Sequence, residues 1–567
     1  GINDHVVNGA PTVNPDRTGT KAALHYRLTV APGQSAEIRL RLTAADPTAP
    51  RADLGTGFRE VLAARAAEAD EFFADLTPPH AGADEARVLR QAVAGLLWSK
   101  QFYHYDVQRW LDGDPTAAPP PPGRMRNARW THLRCHDVIM MPDPWEYPWF
   151  AAWDLAFHCV ALAHVDPGFA KRQLLLLLGE RYQHEDGSLP AYEWAFDDAN
   201  PPVHAWAALQ VFHRDGGWDR DFLCRALPGL ERNFDWWMRN KSVCDMRVFG
   251  GGFLGLDNVG PFDRTWPPPD AGNLVQSDGT AWMAMFALHL AEIATIVAER
   301  VPDAEVMGEK AHHYVEQFTG IVADAYEHGL WDDESGFFYD VLCRPDGTVR
   351  VPARSVVGLL PLCVSAPPIP TQRSGPPAMV DSERLRRALQ KMLDEAEFLS
   401  PHGIRSLSSA HRDAPVTVIL GDRTYDVAYE PAESRTSTFG GNSNWRGPIW
   451  FPVNVLMVNA LRDHHRHLGD EFRVQFPTGS GEPRSLGEIA DALARRLLAL
   501  FLPDDTGRRP VFGDSPVFQS DPEWRDGVLF YEYFHGDTGA GLGAAHQTGW
   551  TALVIELIRG AERSVVR

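Results

Sequence analysis

The chain has 567 residues, 44% of them hydrophobic and eighteen of them tryptophan, enough to bury one very large core or two to three smaller ones. A formal net charge of −21 repels phosphate backbones and anionic lipid heads, so nucleic acid and membrane surfaces are excluded as expected partners and a neutral small molecule is favoured. No run is expected to reach the roughly 18 apolar residues of a membrane span, since "QLLLLLGE" at 173 to 180 is interrupted by charges on both sides.

The first residues, "GINDHVVNGAP", lack the basic and apolar regions of a signal peptide. "ALHYRLTVAPGQSAEIRLRLT", 23 to 43, reads as two alternating strands around a Pro-Gly turn. Two strands alone are marginal in water, so residues 1–48 are expected to be the C-terminal part of a β-domain. A polar, alanine-rich linker helix is expected within 49–83, containing "FREVLAARAAEADEFFADL". Beyond it, apolar residues at three- and four-residue spacing predict twelve helices: 84 to 111, 151 to 165, 167 to 182, 202 to 215, 219 to 240, 278 to 300, 303 to 327, 354 to 365, 382 to 395, 448 to 468, 485 to 502 and 544 to 561. Twelve helices joined alternately by short turns and long aromatic loops suit six hairpins closed into an (α/α)6 barrel over 84–567. The fold class is therefore mainly α.

In such a barrel the long loops gather at one mouth, where binding residues are expected. "MMPDPWEYPWFAAWDLAFH" supplies Trp145, Tyr147, Trp149, Trp153 and Asp154, and "HEDGSLPAYEWAFDDANPP" supplies Tyr192, Glu193, Trp194 and Asn200. "GGNSNWRGPIWFP" adds Asn444, Trp445, Arg446 and Trp450, and "LFYEYFHGDTGAGLGAAHQTGW" adds Glu532, Tyr533, Gln547 and Trp550. Flat aromatic faces beside carboxylates and amides match the C–H faces and hydroxyls of a sugar ring, which makes a saccharide the expected ligand.

Hydrolysis of a glycosidic bond needs a carboxylic acid to protonate the leaving oxygen and a carboxylate opposite to activate water. In "GFLGLDNVGPFD", 252 to 263, the apolar loop would keep Asp257 protonated, as an acid requires, with Asn258 to orient it. Glu532, after Phe530 and Tyr531 and before a glycine-rich turn, is the suited partner.

The stretches "WFAAWDLAFH", "GFLGLDN", "LVQSDGTAWMA", "WRGPIW" and "YEYFHGDTG", in this order, resemble the catalytic domain of glycoside hydrolase family 63, the processing α-glucosidases and their bacterial relatives. Family 37 trehalases are more distantly similar. The resemblance covers about residues 84 to 561, with 365 to 440 unmatched. It implies an (α/α)6 barrel, an inverting mechanism on an α-glucosidic or related α-glycosidic bond, a general acid at Asp257 and a general base at Glu532. It also implies Trp153, Asp154, Trp445 and Arg446 around the sugar in the cleaved subsite, and a preceding β-sandwich whose remnant would be strands 23 to 43.

Other readings are weaker. Asp154 could be a helix N-terminal charge, and Glu193 could be the acid instead. "WDDESGFFYD", 331 to 340, reads as a strand and turn rather than a calcium loop, and the histidines of "DHHRH" near a helix end complement its dipole rather than bind a metal. No cofactor motif is present. Cysteines 135, 159, 224, 244, 343 and 363 are scattered, which reads as free thiols in a reducing, cytoplasmic compartment. Two rival functions are a sugar epimerase or isomerase using His158, His204 or His546, and a glycan-binding module without catalysis. Oligomeric state is left open.

Overall fold

The computed structural model describes residues 1–42, 44, 54–115, 118–243, 245–252, 256, 258–299, 304–345, 347–365, 378–435, 443–545 and 549–560. The chain divides into two compact units, Gly1–Leu76 and Thr77–Arg567.

In the first unit the helices Ile2–Asn8 and Thr56–Leu76 flank an extended segment. The Pro-Gly turn forms: Gln34 N–H donates to the Ala31 carbonyl at 3.0 Å and Gly33 takes φ 74°. The two expected strands do not form among the described residues of 23 to 43. Leu24, Tyr26, Leu28 and Val30 on one side of the turn, and Ile38, Leu40 and Leu42 on the other, are exposed. A ribbon of two strands with its apolar face in water has too little burial to offset the ordering of its backbone.

The second unit is mainly helical. Ala152–Leu162, His204–Arg214, Ser277–Ala298, the 3-10 turn Leu360–Cys363, Phe451–Leu468 and the turn Gly549–Leu553 each pack on the next, and the last packs on the first. The helices among them are buried nearly all round, as inner helices must be. Against their outer side lie amphipathic helices such as Arg220–Asn240, Ala304–Glu327 and Leu486–Ala499, each with one apolar stripe.

Four expectations need correction, one of them at 544 to 561, where the described residues form the 3-10 turn Gly549–Leu553 and a short helix, Val554–Gly560, in place of one long helix. The helix expected over 84 to 111 ends at Trp98, because "KQFYHYD" is aromatic and alternating; Lys100–Asp106 pairs antiparallel with Arg134–Met140 and a short helix, Val107–Asp112, follows. Residues 354 to 365 form two 3-10 turns, Val356–Gly358 and Leu360–Cys363, separated by Leu359, with Pro361 in the opening positions of the second, where its missing N–H is tolerated. Ser277–Ala298 is, by length and composition, apolar enough to cross a membrane; here it is the core helix, with 78% of its most apolar window buried. By contrast, Trp331–Asp332 and Phe337–Phe338 form the strand and turn expected of "WDDESGFFYD".

A small β-region supports the segment 258–264. Asn273–Val275 pairs with Asp340–Arg344, which pairs with Gly347–Val351, and Val416–Leu420 pairs with Arg423–Val427. Phe262, Leu274, Leu342, Val351, Val418 and Val427 pack together between them.

Candidate active site

The loops that precede the inner elements carry the site. Glu532 lies just before the strand Tyr533–Phe534, which pairs with Gly541–Leu542, while Phe534 bridges to Ile449. Its backbone N–H donates to the Ala544 carbonyl at 2.9 Å, and Ala544 N–H returns a bond to Glu532 Oε2 at 3.1 Å. Gly543 has φ 71°, and a Cβ there would stand 2.5 Å from Glu532 Oε2 and 2.6 Å from the Tyr533 ring. Gly543→Ala is therefore expected to cost about 1–3 kcal/mol in urea unfolding and to lower turnover by displacing Glu532.

Glu532 is 5% exposed. Ser443 Oγ donates to its Oε1 at 2.7 Å. Burial pushes the carboxyl up to about 7; Ser443 and the Ala544 N–H pull the other way, and the carboxylates of Glu433 and Glu146 add to the rise. Such a group exchanges protons near neutrality, which suits a general base.

Asn258 is buried and joins two of the sequence motifs. Its Nδ2 donates to the Ser443 carbonyl at 3.1 Å and its Oδ1 accepts from Trp445 N–H at 2.7 Å. One hydrogen-bonded chain, Asn258 to Ser443 to Glu532, thus runs from the residue after Asp257 to the expected base. Asp257 itself lies outside the described residues, as do His546 and Gln547. Both flanks of Asp257 are tied: Lys241 Nζ donates to the Gly251 carbonyl at 2.7 Å, Gln276 Nε2 to the Gly252 carbonyl at 2.6 Å, and on the other side Arg264 pairs with Asp278 and Asp340.

The aromatic residues divide into two sets. Trp445 and Trp450 stack in parallel with centroids 3.9 Å apart, and Tyr533 stacks on Trp450 at 4.6 Å. All three are fully buried, so the stack supports the floor beneath Glu532. Trp550 packs edge-on against both Trp450 and Trp153, and its Nε1 donates to the Glu532 carbonyl at 3.0 Å. Trp145 and Trp194 are exposed, with Trp149 edge-on to Trp194 at 5.8 Å. The Arg126 guanidinium lies over the Trp194 ring, 4.5 Å from its centroid.

Arg446 is spent on local architecture. It pairs with Glu430 at 2.9 Å and bonds Ser434, while Asn444 Nδ2 donates to the Glu430 and Ala432 carbonyls at 2.8 and 2.7 Å. Tyr533 OH donates to Glu433 Oε2 at 2.7 Å, and Gly543 N–H donates to Glu433 Oε1 at 3.1 Å. Asp154 is in the first turn of Ala152–Leu162, where the macrodipole favours a carboxylate. Glu193 accepts from the Tyr103 phenol, on the strand Lys100–Asp106. Tyr192 instead meets Asp198, beside Lys241; burial raises the Asp198 carboxyl and lowers the Lys241 ammonium. The sequence reading missed Ser443, Glu433, Glu146, Asp198 and Lys241. Ser443, Asp198 and Glu146 stand inside the loops singled out in the sequence, beside tryptophans and carboxylates that carry a stronger local flag.

The rival histidines are placed as follows. His158 is buried against Gly549, burial pushes it down to about 3, and neither ring nitrogen has a hydrogen-bond partner among the described residues. His204 contacts the Ala152 carbonyl at 3.1 Å. His464 of "DHHRH" contacts the Leu362 carbonyl at 2.9 Å. Among the described residues no group of three or more His, Cys, Asp or Glu could hold a metal ion.

The family model described as the mannosylglycerate hydrolase MGH1-like glycoside hydrolase domain matches residues 147–245 and 270–551, more than half of the chain. The unmatched gap contains Asp257. Uncharacterized protein YMR196W of Saccharomyces cerevisiae is 41% identical over 633 aligned residues, covering 100% of this chain and 58% of that protein. A probable mannosyl-oligosaccharide glucosidase of Schizosaccharomyces pombe is 25% identical over 353 residues, covering 59% of this chain and 34% of that protein. The chain thus spans less than two thirds of the length of either relative. Among solved structures, the GH63 mannosylglycerate hydrolase of Thermus thermophilus in complex with glucose matches with a TM-score of 0.49 at 16% identity, covering 74% of this chain and 95% of that one.

Proposed function

Because this chain belongs to the mannosylglycerate hydrolase MGH1-like glycoside hydrolase family, we propose that it is an inverting hydrolase of an α-glucosidic or related α-glycosidic bond, with Asp257 as general acid and Glu532 as general base. The observation that carries the reading is the buried Glu532 carboxylate, tuned near neutrality and linked through Ser443 to Asn258, the neighbour of Asp257. The closed succession of inner helices and turns supports an (α/α)6 barrel as its frame.

In the reaction, Glu532 takes a proton from water as that oxygen attacks the anomeric carbon, and Asp257 gives its proton to the departing glycosidic oxygen. One C–O bond forms as the other breaks, and the anomer is inverted. Glu532 is left protonated and Asp257 ionised, and exchange with solvent resets both. Inversion needs room for the water, so the two carboxyl groups are expected roughly 6.5–9.5 Å apart. The saccharide is expected over Trp153, Asp154 and Tyr192, while the buried Trp445–Trp450–Tyr533 stack, Arg446 and Glu193 shape the site from behind. The names of the relative and of the family, a mannosyl-oligosaccharide glucosidase and a mannosylglycerate hydrolase, make glucosides and mannosides the first substrates to try.

The test is proton NMR of the anomeric signals with a panel of α-glucosides and α-mannosides. The wild type should release β-sugar first and Asp257→Asn should release none. Initial α-sugar would contradict inversion, and turnover undiminished by Asp257→Asn would remove Asp257 as the acid. A folded wild type that binds glycans without cleaving any would favour the binding-module alternative.

A further inference from the structure

Among the described residues Glu532 accepts one hydrogen bond on each carboxylate oxygen, and the two donors differ in kind. At Oε2 the donor is the Ala544 backbone N–H, which can only donate. Its direction is fixed, because the Glu532 N–H bonds the Ala544 carbonyl in return. At Oε1 the donor is the Ser443 hydroxyl, which rotates and has two lone pairs of its own. A protonated oxygen accepts poorly, so a proton on Oε2 would face the fixed N–H across 3.1 Å, whereas a proton on Oε1 would meet an oxygen able to turn and accept it. The proton taken from water therefore belongs on Oε1.

Ser443 is itself held by Asn258, the residue after Asp257 in the sequence. Asn258 Nδ2 bonds its carbonyl and Asn258 Oδ1 bonds the N–H of Trp445, two residues on, so the buried amide clamps the backbone that aims the hydroxyl. We propose that Ser443 is a positioning residue of the reaction: its hydroxyl donates to the ionised Glu532 and turns to accept the proton that Glu532 removes from water, while Asn258 couples its placement to the loop of the acid. No bond to Ser443 is made or broken other than these hydrogen bonds. The inference rests on the hydrolase reading above for the step it serves, but the interaction with Glu532 can be measured without turnover.

Two readouts on Ser443→Ala and Ser443→Thr test the positioning role. Carbon-13 infrared difference spectra, with the Glu532 carboxyl band identified by its loss in Glu532→Gln, report its titration directly. Without the donor the ionised form loses support, so Ser443→Ala should titrate about one pH unit higher than wild type and Ser443→Thr should restore the wild-type midpoint. On a cleaved substrate, Ser443→Ala should lose about 10- to 100-fold in kcat, with the acid limb of its pH profile moved upward and KM little changed, and Thr should recover most of the rate. An unchanged carboxyl titration in Ser443→Ala overturns the proposal, whether or not a substrate is found. So does a wild-type kcat in that variant. If the wild type cleaves nothing, the hydrolase reading fails on its own account and the infrared titration alone decides whether Ser443 governs Glu532.

Discussion

Glu532→Gln is expected to lower kcat by about 10²–10⁴-fold, the contribution of a positioned general base, while leaving the fold intact. The amide fits the same space. Its oxygen can accept from Ala544 N–H, and its NH₂ can donate to Ser443 once that hydroxyl turns, so neither neighbour is orphaned. The stability change has a sign that a structural role would not predict. Burial raises the Glu532 carboxyl from 4.5 to about 7, so the group favours the folded state below pH 4.5, and that contribution is lost as pH rises through 7. The ionised form then costs on the order of 3 kcal/mol at pH 8, which the neutral amide removes. The variant should melt at or above the wild-type temperature at pH 8 and equal to it near pH 4. Wild-type kcat/KM should fall tenfold per pH unit below about 7, because the base must be ionised to work. An inactive variant that melts well below wild type at pH 8 would instead mark Glu532 as structural.

What was legible in the sequence follows from the range of the forces involved. Helices such as Arg220–Asn240 and Ala304–Glu327 are written in local apolar spacing, and their bounds fall within a residue or two of the expected ones. Elements that depend on distant partners were not. Lys100–Asp106 becomes a strand because Arg134–Met140 lies beside it, and a window of a dozen residues cannot register that neighbour. Residues 23–42 alternate like strands yet make no ladder, since alternation describes what a strand could bury and not whether anything covers it. The same division holds at the site. Asn258, Trp445, Trp450, Glu532 and Tyr533 stand in recognisable motifs and come together through Ser443 and the aromatic stack. Ser443 has no such flag, because its importance is a 2.7 Å contact with a residue 89 positions away. Glu193 carried a strong local flag between two aromatics, and the fold directs its carboxylate to the Tyr103 phenol.

Arg264→Leu is expected to destabilise the protein by about 3–5 kcal/mol, read by urea unfolding at pH 8. Arg264 is 2% exposed and meets two carboxylates. Its guanidinium makes paired bonds to Asp278, one of them 3.0 Å, and reaches Asp340 Oδ2 at 3.0 Å through Nε. Burial alone would lower the guanidinium pKa, yet Asp278 and Asp340 hold it above its ordinary value. Those carboxylates do further work: Asp340 Oδ1 accepts from Ser277 N–H at 2.8 Å and Asp278 Oδ1 from Gly279 N–H at 2.9 Å, fixing the first turn of the core helix Ser277–Ala298. Removing the cation leaves two buried acids without their shared partner. Burial already raises the Asp340 carboxyl and Arg264 opposes that rise, so without the cation Asp340 rises further, its ionised form costs more as pH increases, and the deficit of the variant should shrink between pH 8 and pH 5. Arg264→Lys should recover only part, because an ammonium cannot bond both carboxylates in a planar fork. The segment 258–264 spans Asn258 and Arg264, so loosening one end frees the other from Ser443 and Trp445. Turnover should therefore fall even at temperatures where Arg264→Leu remains folded. A variant within about 1 kcal/mol of wild type, equally active and with no pH trend, would mean that the β-region holds this loop by its apolar contacts alone, with Phe262 as the anchor.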